Sequence, residues 1–156
     1  MEKVDLFEQV CRELQIHPSL GGDYRDERSL VSEIVTVIDQ YINGRNLALT
    51  ARRADIESVK AFGREKSPDI AIDSQAERFI AIEVKYRRTG DWELSRGIGQ
   101  AITYSVKYPY GIIFIRDSHD KDPTVRHDYD AEIASSLMGH HNIRLIVRYN
   151  YPYPGT

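Results

Sequence analysis

The sequence predicts a single α/β domain, and three observations carry that prediction. Residues 67–86 alternate apolar and polar at the strand period on either side of a short polar break. Residues 27–42 carry an apolar stripe at the helical period, and residues 111–115 (Gly-Ile-Ile-Phe-Ile) form the continuous apolar run of a strand buried on both faces. At 156 residues the chain can build one core that buries roughly two-thirds of its unfolded surface, and it is too short for two domains of ordinary size.

The elements follow in order. Residues 2–15 read as a helix whose stripe is Val4, Phe7, Val10, Cys11 and Leu14; the stripe either packs back on its own core or joins two chains. Cys11 is the sole cysteine, which excludes an internal disulfide and any Cys-rich metal or iron–sulfur site. Residues 17–22 (His-Pro-Ser-Leu-Gly-Gly) read as a linker. In the helix over 27–42, Leu30, Ile34, Ile38 and Tyr41 form the stripe, widened by Val31, Val35 and Ile42. Residues 53–62 are ambiguous, since Ile56, Ser58, Lys60 and Phe62 alternate while Thr50 and Gly63 could cap a helix. A strand is expected there, forming a hairpin with the strand of Asp69 through residues 63–67. Residues 92–108 read as a helix with Leu94, Ile98, Ala101, Ile102 and Ser105 buried. After the strand at 111–115 come a polar loop at 118–126, a helix at 127–139 ending near His140 and His141, and a strand at 143–149. A Tyr-Pro-Tyr-Pro tail closes the sequence, which has no repeats.

The chemistry sits in the hairpin of residues 67–86. Ile70 and Ile72 point one way, with Ile80, Ile82, Val84 and Tyr86 on the same side. Asp69, Ala71, Ala81, Glu83 and Lys85 then share the other face. If Ile72 pairs with Ile80, Asp69 falls opposite Glu83. Two carboxylates so close raise each other's pKa unless a cation lies between them. Hard oxygen ligands select Mg²⁺ or Mn²⁺, which can polarise a phosphate and acidify bound water. Lys85, on the same face, could hold the nucleophile or stabilise a pentavalent transition state. The plainer alternative is a solvated hairpin face.

Two helices add to this face. Glu27 lies three residues before Leu30 and seven before Ile34, on the apolar side at a helix start, whereas Glu33 points to a flank. Glu27 either seeks an inward partner such as a metal or, beside Asp26, favours the positive end of the helix dipole. Gln100 and Tyr104, four apart, share a face from which they could bond a phosphate or orient water on the metal. Gly97 and Gly99 weaken their helix by about 1 kcal/mol each, and close packing on the sheet is the expected reason.

Glu27, Pro68-Asp69, Glu83-Val84-Lys85 and Gln100-Ala-Ile-Thr-Tyr104 together resemble the restriction-endonuclease-like superfamily, the PD-(D/E)xK nucleases, over about residues 26–116. The last element looks like the Q-x-x-x-Y signature of RecB-type nucleases, and Glu27-Arg28 is similar to archaeal Holliday-junction resolvases. The resemblance implies a restriction-endonuclease-like core of helix, three-stranded β-meander, helix and strand within residues 26–150. To this are added an N-terminal helix and linker (residues 1–20) and a C-terminal helix and strand. It implies that Glu27, Asp69, Glu83, Lys85, Gln100 and Tyr104 are catalytic. Metal would be held by Asp69, Glu83 and the Val84 carbonyl, with Glu27 acting directly or through water. The expected activity is Mg²⁺- or Mn²⁺-dependent cleavage of DNA; the alternative is a non-catalytic nucleic-acid-binding or assembly domain on the same fold.

Charge bears on partners. The net charge is −3, unlike the strongly basic resolvases, so a nuclease is a better reading than a junction resolvase. Residues 1–43 hold 4 Lys/Arg against 9 Asp/Glu, and residues 44–107 hold 12 against 9. The basic share includes Arg52, Arg53, Lys60, Arg64, Lys66, Arg87, Arg88, Arg96 and Lys107, near the proposed site, where cations could track phosphates. A monomer this small presents few phosphate contacts, so a homodimer with the 2–15 helix in its interface is expected. No apolar run reaches membrane-spanning length and no basic-then-apolar leader opens the sequence, which points to a cytoplasmic protein without a membrane partner.

Overall fold

In the computed structural model, residues 2–87, 94–119 and 128–150 are described, without the side chains of 94 and 128–130. The chain runs α1 (Lys3–Ile16), a 3₁₀ turn (Pro18–Gly21), α2 (Glu27–Ile42), β1 (Leu47–Thr50), β2 (Val59–Ala61) and β3 (Arg64–Lys66). It continues β4 (Ile70–Ser74), β5 (Glu77–Arg87), α3 (Leu94–Tyr104), β6 (Tyr110–Asp117), α4 (Asp128–His141) and β7 (Ile143–Arg148).

The predicted hairpin is the middle of the fold. Ile72 pairs with Ile80, Ala71 with Ala81 and Ile70 with Ile82, the pairing considered from the alternation, and a register shift between Ile72 and Asp73 then sets Asp73 opposite Arg78. Gln75 and Ala76 turn the chain with φ of 53° and 64°, the positive pair of a type I′ turn. A five-stranded sheet of order β1-β4-β5-β6-β7 grows from this hairpin, antiparallel through β5 and parallel beyond it. The expected α/β class holds.

The first strand of the meander is not where the sequence put it. Residues 47–50, not 53–62, flank β4, with Leu49 opposite Ile72. Residues 59–66 instead fold back on themselves as a separate two-stranded sheet, β2–β3. Phe62 and Gly63, at φ of 50° and 71°, close that turn too early for the strand to reach β4.

Helices cover both sheet faces. Phe7, Val10, Leu14, Leu30, Ile34 and Ile38 of α1 and α2 pack on Ile70, Ile72, Ile80, Ile82 and Val84. On the other face Ala101 and Leu137, from α3 and α4, meet Ile113, Ile115 and Val147. Tyr104 and Tyr108 lie against the small Ala71 and Ala81.

The α1 stripe is consumed internally: Phe7, Cys11 and Leu14 are at most 1 % exposed, and burial pushes the Cys11 thiol up to about 12. Most of the stripe thus packs on its own core, while Val4, expected on it, is 42 % exposed. Residues 17–22 are more than a linker. Leu20 is buried, and the fully buried Arg116 donates to the carbonyls of Gly21 (2.9 Å), Gly22 (2.7 Å) and Arg148 (3.1 Å).

Smaller corrections follow from where helices stop. Ser105 is exposed because α3 ends at Tyr104, whose buried ring takes the inward place. The final helix passes Gly139 to His141 and stops where Asn142 adopts φ of 54°. Arg88, Trp92, residues 120–127 and the Tyr-Pro-Tyr-Pro tail lie outside the described residues. Among the described residues no helix is long and apolar enough to cross a membrane.

Candidate active site

The site is built where β5 outruns β4. Asp69, just before β4, donates its N–H to the Ile82 carbonyl at 3.0 Å, the last backbone bond the structure gives between the two chains. The next N–H groups on that edge of β5 belong to Val84 and Tyr86, and among the described residues no strand covers them. Carboxylates do so instead. Asp69 Oδ2 accepts from Val84 N–H at 2.8 Å, and Glu27 Oε2 accepts from Tyr86 N–H at 3.2 Å. In an antiparallel ladder a residue directs its N–H and C=O to the same neighbour, so the Val84 carbonyl shares this edge with both acids.

Glu27 thus reaches the site by a route the sequence did not suggest. It was expected on the Asp69–Glu83 side of the sheet, but α2 packs on the opposite face. The helix start reaches the open edge because Asp26 caps it, accepting from Ser29 N–H and Ser29 Oγ, both at 2.8 Å.

Glu83 is 3 % exposed and is the centre of the site. Its Oε1 accepts from Lys85 Nζ at 2.8 Å and its Oε2 from the Tyr104 hydroxyl at 3.1 Å. Burial, then the charge of Asp69, pushes its carboxyl up to about 7, against opposition from Lys85 and Tyr104. Asp69 is also raised, chiefly by burial, while the Val84 N–H, Lys85 and Arg53 work against the rise. Burial disfavours the Lys85 ammonium, but the Glu83 hydrogen bond and the charges of Glu83, Glu27 and Asp69 outweigh it and hold its pKa above the ordinary value.

Tyr104 also bonds the Ser67 carbonyl at 2.9 Å. A phenol has one proton, so of the Ser67 carbonyl and the Glu83 carboxyl it serves one at a time. Burial, then Glu83, raises the Tyr104 hydroxyl, so it stays neutral. Gln100, one helical turn before Tyr104, has a buried Oε1 that meets no donor among the described residues. A cavity of about 320 Å³ opens over these groups, lined by Glu27, Asp69, Glu83, Lys85 and Gln100 with Arg28 and Arg53 as cations.

All six residues singled out in the sequence therefore meet, five at the cavity wall and Tyr104 behind it. Sequence reasoning missed the Ser67 carbonyl, which a side-chain motif cannot reveal. Gly97 packs as expected: a Cβ there would lie 3.6 Å from the Lys85 chain, whereas Gly99 has open space.

The donor set fits a hard divalent cation. Among the described residues no three His, Cys, Asp or Glu side chains gather as a metal cage. Mg²⁺ does not need one, since it keeps several waters and takes one or two carboxylates. Two carboxyls raised by their shared surroundings and an orphaned amide oxygen beside them suit an ion with its water shell.

Compared with known proteins, the chain matches no family model, no curated protein and no solved structure.

Proposed function

We propose that the chain is a divalent-metal-dependent nuclease that hydrolyses phosphodiester bonds in DNA. One observation carries the reading: Asp69 and Glu83 share a cavity in which their surroundings raise both carboxyls, with the Lys85 ammonium beside them. Asp69, Glu83 and the Val84 carbonyl would hold Mg²⁺ or Mn²⁺, with Glu27 next to them on the same edge. Polarisation of a phosphate oxygen and acidification of water are what such an ion supplies when bound.

The remaining roles belong to the chain's own groups. Lys85 is placed to stabilise charge on the phosphate, a task that suits an ammonium held protonated by three carboxylates. Tyr104 is a positioning residue, fixing the rotamer of Glu83 through the phenol, and Gln100 lines the cavity beside it. Arg28 and Arg53 at the cavity wall are suited to phosphates on either side of the cleaved bond. The order of the motifs, which resembles that of the PD-(D/E)xK nucleases, supports the same reading.

Labelled DNA and RNA of several structures, incubated with Mg²⁺, Mn²⁺ or EDTA, test it. DNA cleavage with either metal and none in EDTA is expected. Undiminished cleavage in EDTA would overturn the mechanism, and binding without cleavage under every condition would leave a non-catalytic nucleic-acid-binding domain.

A further inference from the structure

The hairpin β2–β3 does more than fill the core. Ile56 and Val59 anchor its base against Tyr104 and Tyr108. Beyond them the hairpin leaves the body of the protein, and Phe62 at its tip is fully exposed (105 %). A two-residue turn of this kind suits Asn-Gly, and φ of 50° is unfavourable for a bulky aromatic ring. The ring thus serves neither the turn nor the packing.

Its surroundings are cationic. Lys60, Arg64 and Lys66 stand on the hairpin against a single carboxylate, Glu65, which lies 3.7 Å from Lys60. The hairpin also adjoins the cavity, since β3 leads directly into Ser67-Pro68-Asp69 and Arg53 precedes it on the same wall. Ser67 lies five residues after Phe62, a reach of at most about 17 Å at 3.3 Å per residue. Along a nucleic acid that is the rise of about five bases.

An apolar protein surface would meet the ring but not the three cations, whereas a base with its phosphates meets both. We propose that β2–β3 is a substrate-reading wing in which Phe62 stacks on an unpaired base while Lys60 and Arg64 contact the neighbouring phosphates. This rests on the nuclease reading and names its substrate class: DNA with unpaired bases within about five nucleotides of the cleaved bond. In continuous duplex each base is already covered by its neighbours and must be unstacked first. A single strand, frayed end or branch offers its bases directly.

The test measures binding by anisotropy in EDTA, using wild type, Phe62→Ala, Phe62→Trp and Phe62→Asn. Fluorescent probes are a single strand, a blunt duplex and a duplex with an unpaired tail. Phe62→Ala and Phe62→Asn should bind the single strand and the tailed duplex about 5- to 100-fold more weakly, with little change on blunt duplex, and Phe62→Trp should restore binding. Because Asn suits the turn, its loss cannot be a folding defect. Equal binding by all four proteins, an equal loss on blunt duplex, or no binding of any probe by wild type would overturn the wing. Cleavage by wild type in Mg²⁺, measured separately, tests the nuclease reading. Phe62-dependent binding without cleavage removes that reading and keeps the wing, while cleavage with Phe62-independent binding does the reverse.

Discussion

Glu83→Gln should make the metal-free protein more stable at neutral and alkaline pH while abolishing cleavage. In the folded protein the Glu83 carboxyl rises from 4.5 to about 7, with burial and then Asp69 as the causes. An acid raised on folding contributes nothing against the fold below 4.5, where both states are protonated. From 4.5 to about 7 the unfolded chain ionises and the folded one resists, so stability falls through that window and then levels off. The loss is roughly 3 kcal/mol, which for a chain of 156 residues is about 6–12 °C in melting temperature. Gln keeps an oxygen to accept from Lys85, can donate its amide N–H to the Tyr104 oxygen while Tyr104 donates to the Ser67 carbonyl, and has no charge to bury, so the variant should escape this loss. Thermal melts of both proteins from pH 4 to 8.5 in EDTA should nearly coincide at the acid end and diverge toward pH 8, with the variant higher. Mg²⁺ at a hundred times its Kd should return about 2.7 kcal/mol to wild type at pH 8 and far less to the variant. A melting difference independent of pH, or a variant less stable than wild type at pH 8, would refute the argument.

Lys85→Ala should leave metal-induced stabilisation nearly intact yet slow single-turnover cleavage by about 3 kcal/mol of barrier or more; cleavage at the wild-type rate would reduce the lysine to a counter-ion for Glu83. Glu27→Ala should impair cleavage in a folded protein and Glu33→Ala should be close to neutral, since Glu27 bonds the Tyr86 N–H at the cavity; the opposite ranking in parallel assays would put the wrong glutamate in the site. Asp69→Asn keeps an oxygen for the Val84 N–H and should melt near wild type, while Asp69→Ala should lose about 1–3 kcal/mol by orphaning that donor. Neither should cleave, and an active Asp69→Asn enzyme would remove Asp69 from the proposed ligands.

How much of this was legible in the sequence depends on which constraint was local. The pairing of Ile72 with Ile80 could be posed from alternation and it holds, but the register shift between Ile72 and Asp73 leaves no mark in the apolar pattern. The strand Leu47–Thr50 was missed because four residues hold too little pattern, and only its pairing with β4 makes it a strand. Helical phase placed Glu27 correctly in line with Leu30 and Ile34, but phase fixes rotation about the helix axis, not the sheet face on which the helix lies. Arg116 was invisible for a related reason. It directly follows an apolar run, and its burial depends on carbonyls about 95 and 32 residues away along the chain.

The position of the site follows from hydrogen-bond accounting along one strand edge. β5 has 11 residues and its neighbour β4 has 5, so on the β4 side the end of β5 faces no strand among the described residues. Buried backbone donors need partners, and here the partners of Val84 and Tyr86 are the carboxylates of Asp69 and Glu27. A carboxylate has about four acceptor positions, so bonding one N–H does not use up Asp69. The strand mismatch thus fixes two acids on one edge, and alternation along β5 brings Glu83 and Lys85 beside Asp69 on the neighbouring face. Lengthening β4 by four residues, to face Tyr86, would satisfy the same donors with carbonyls and remove the reason for either acid to be there. The open edge is therefore the structural cause of the acidic cluster, and any chemistry at the cavity depends on β4 ending where it does.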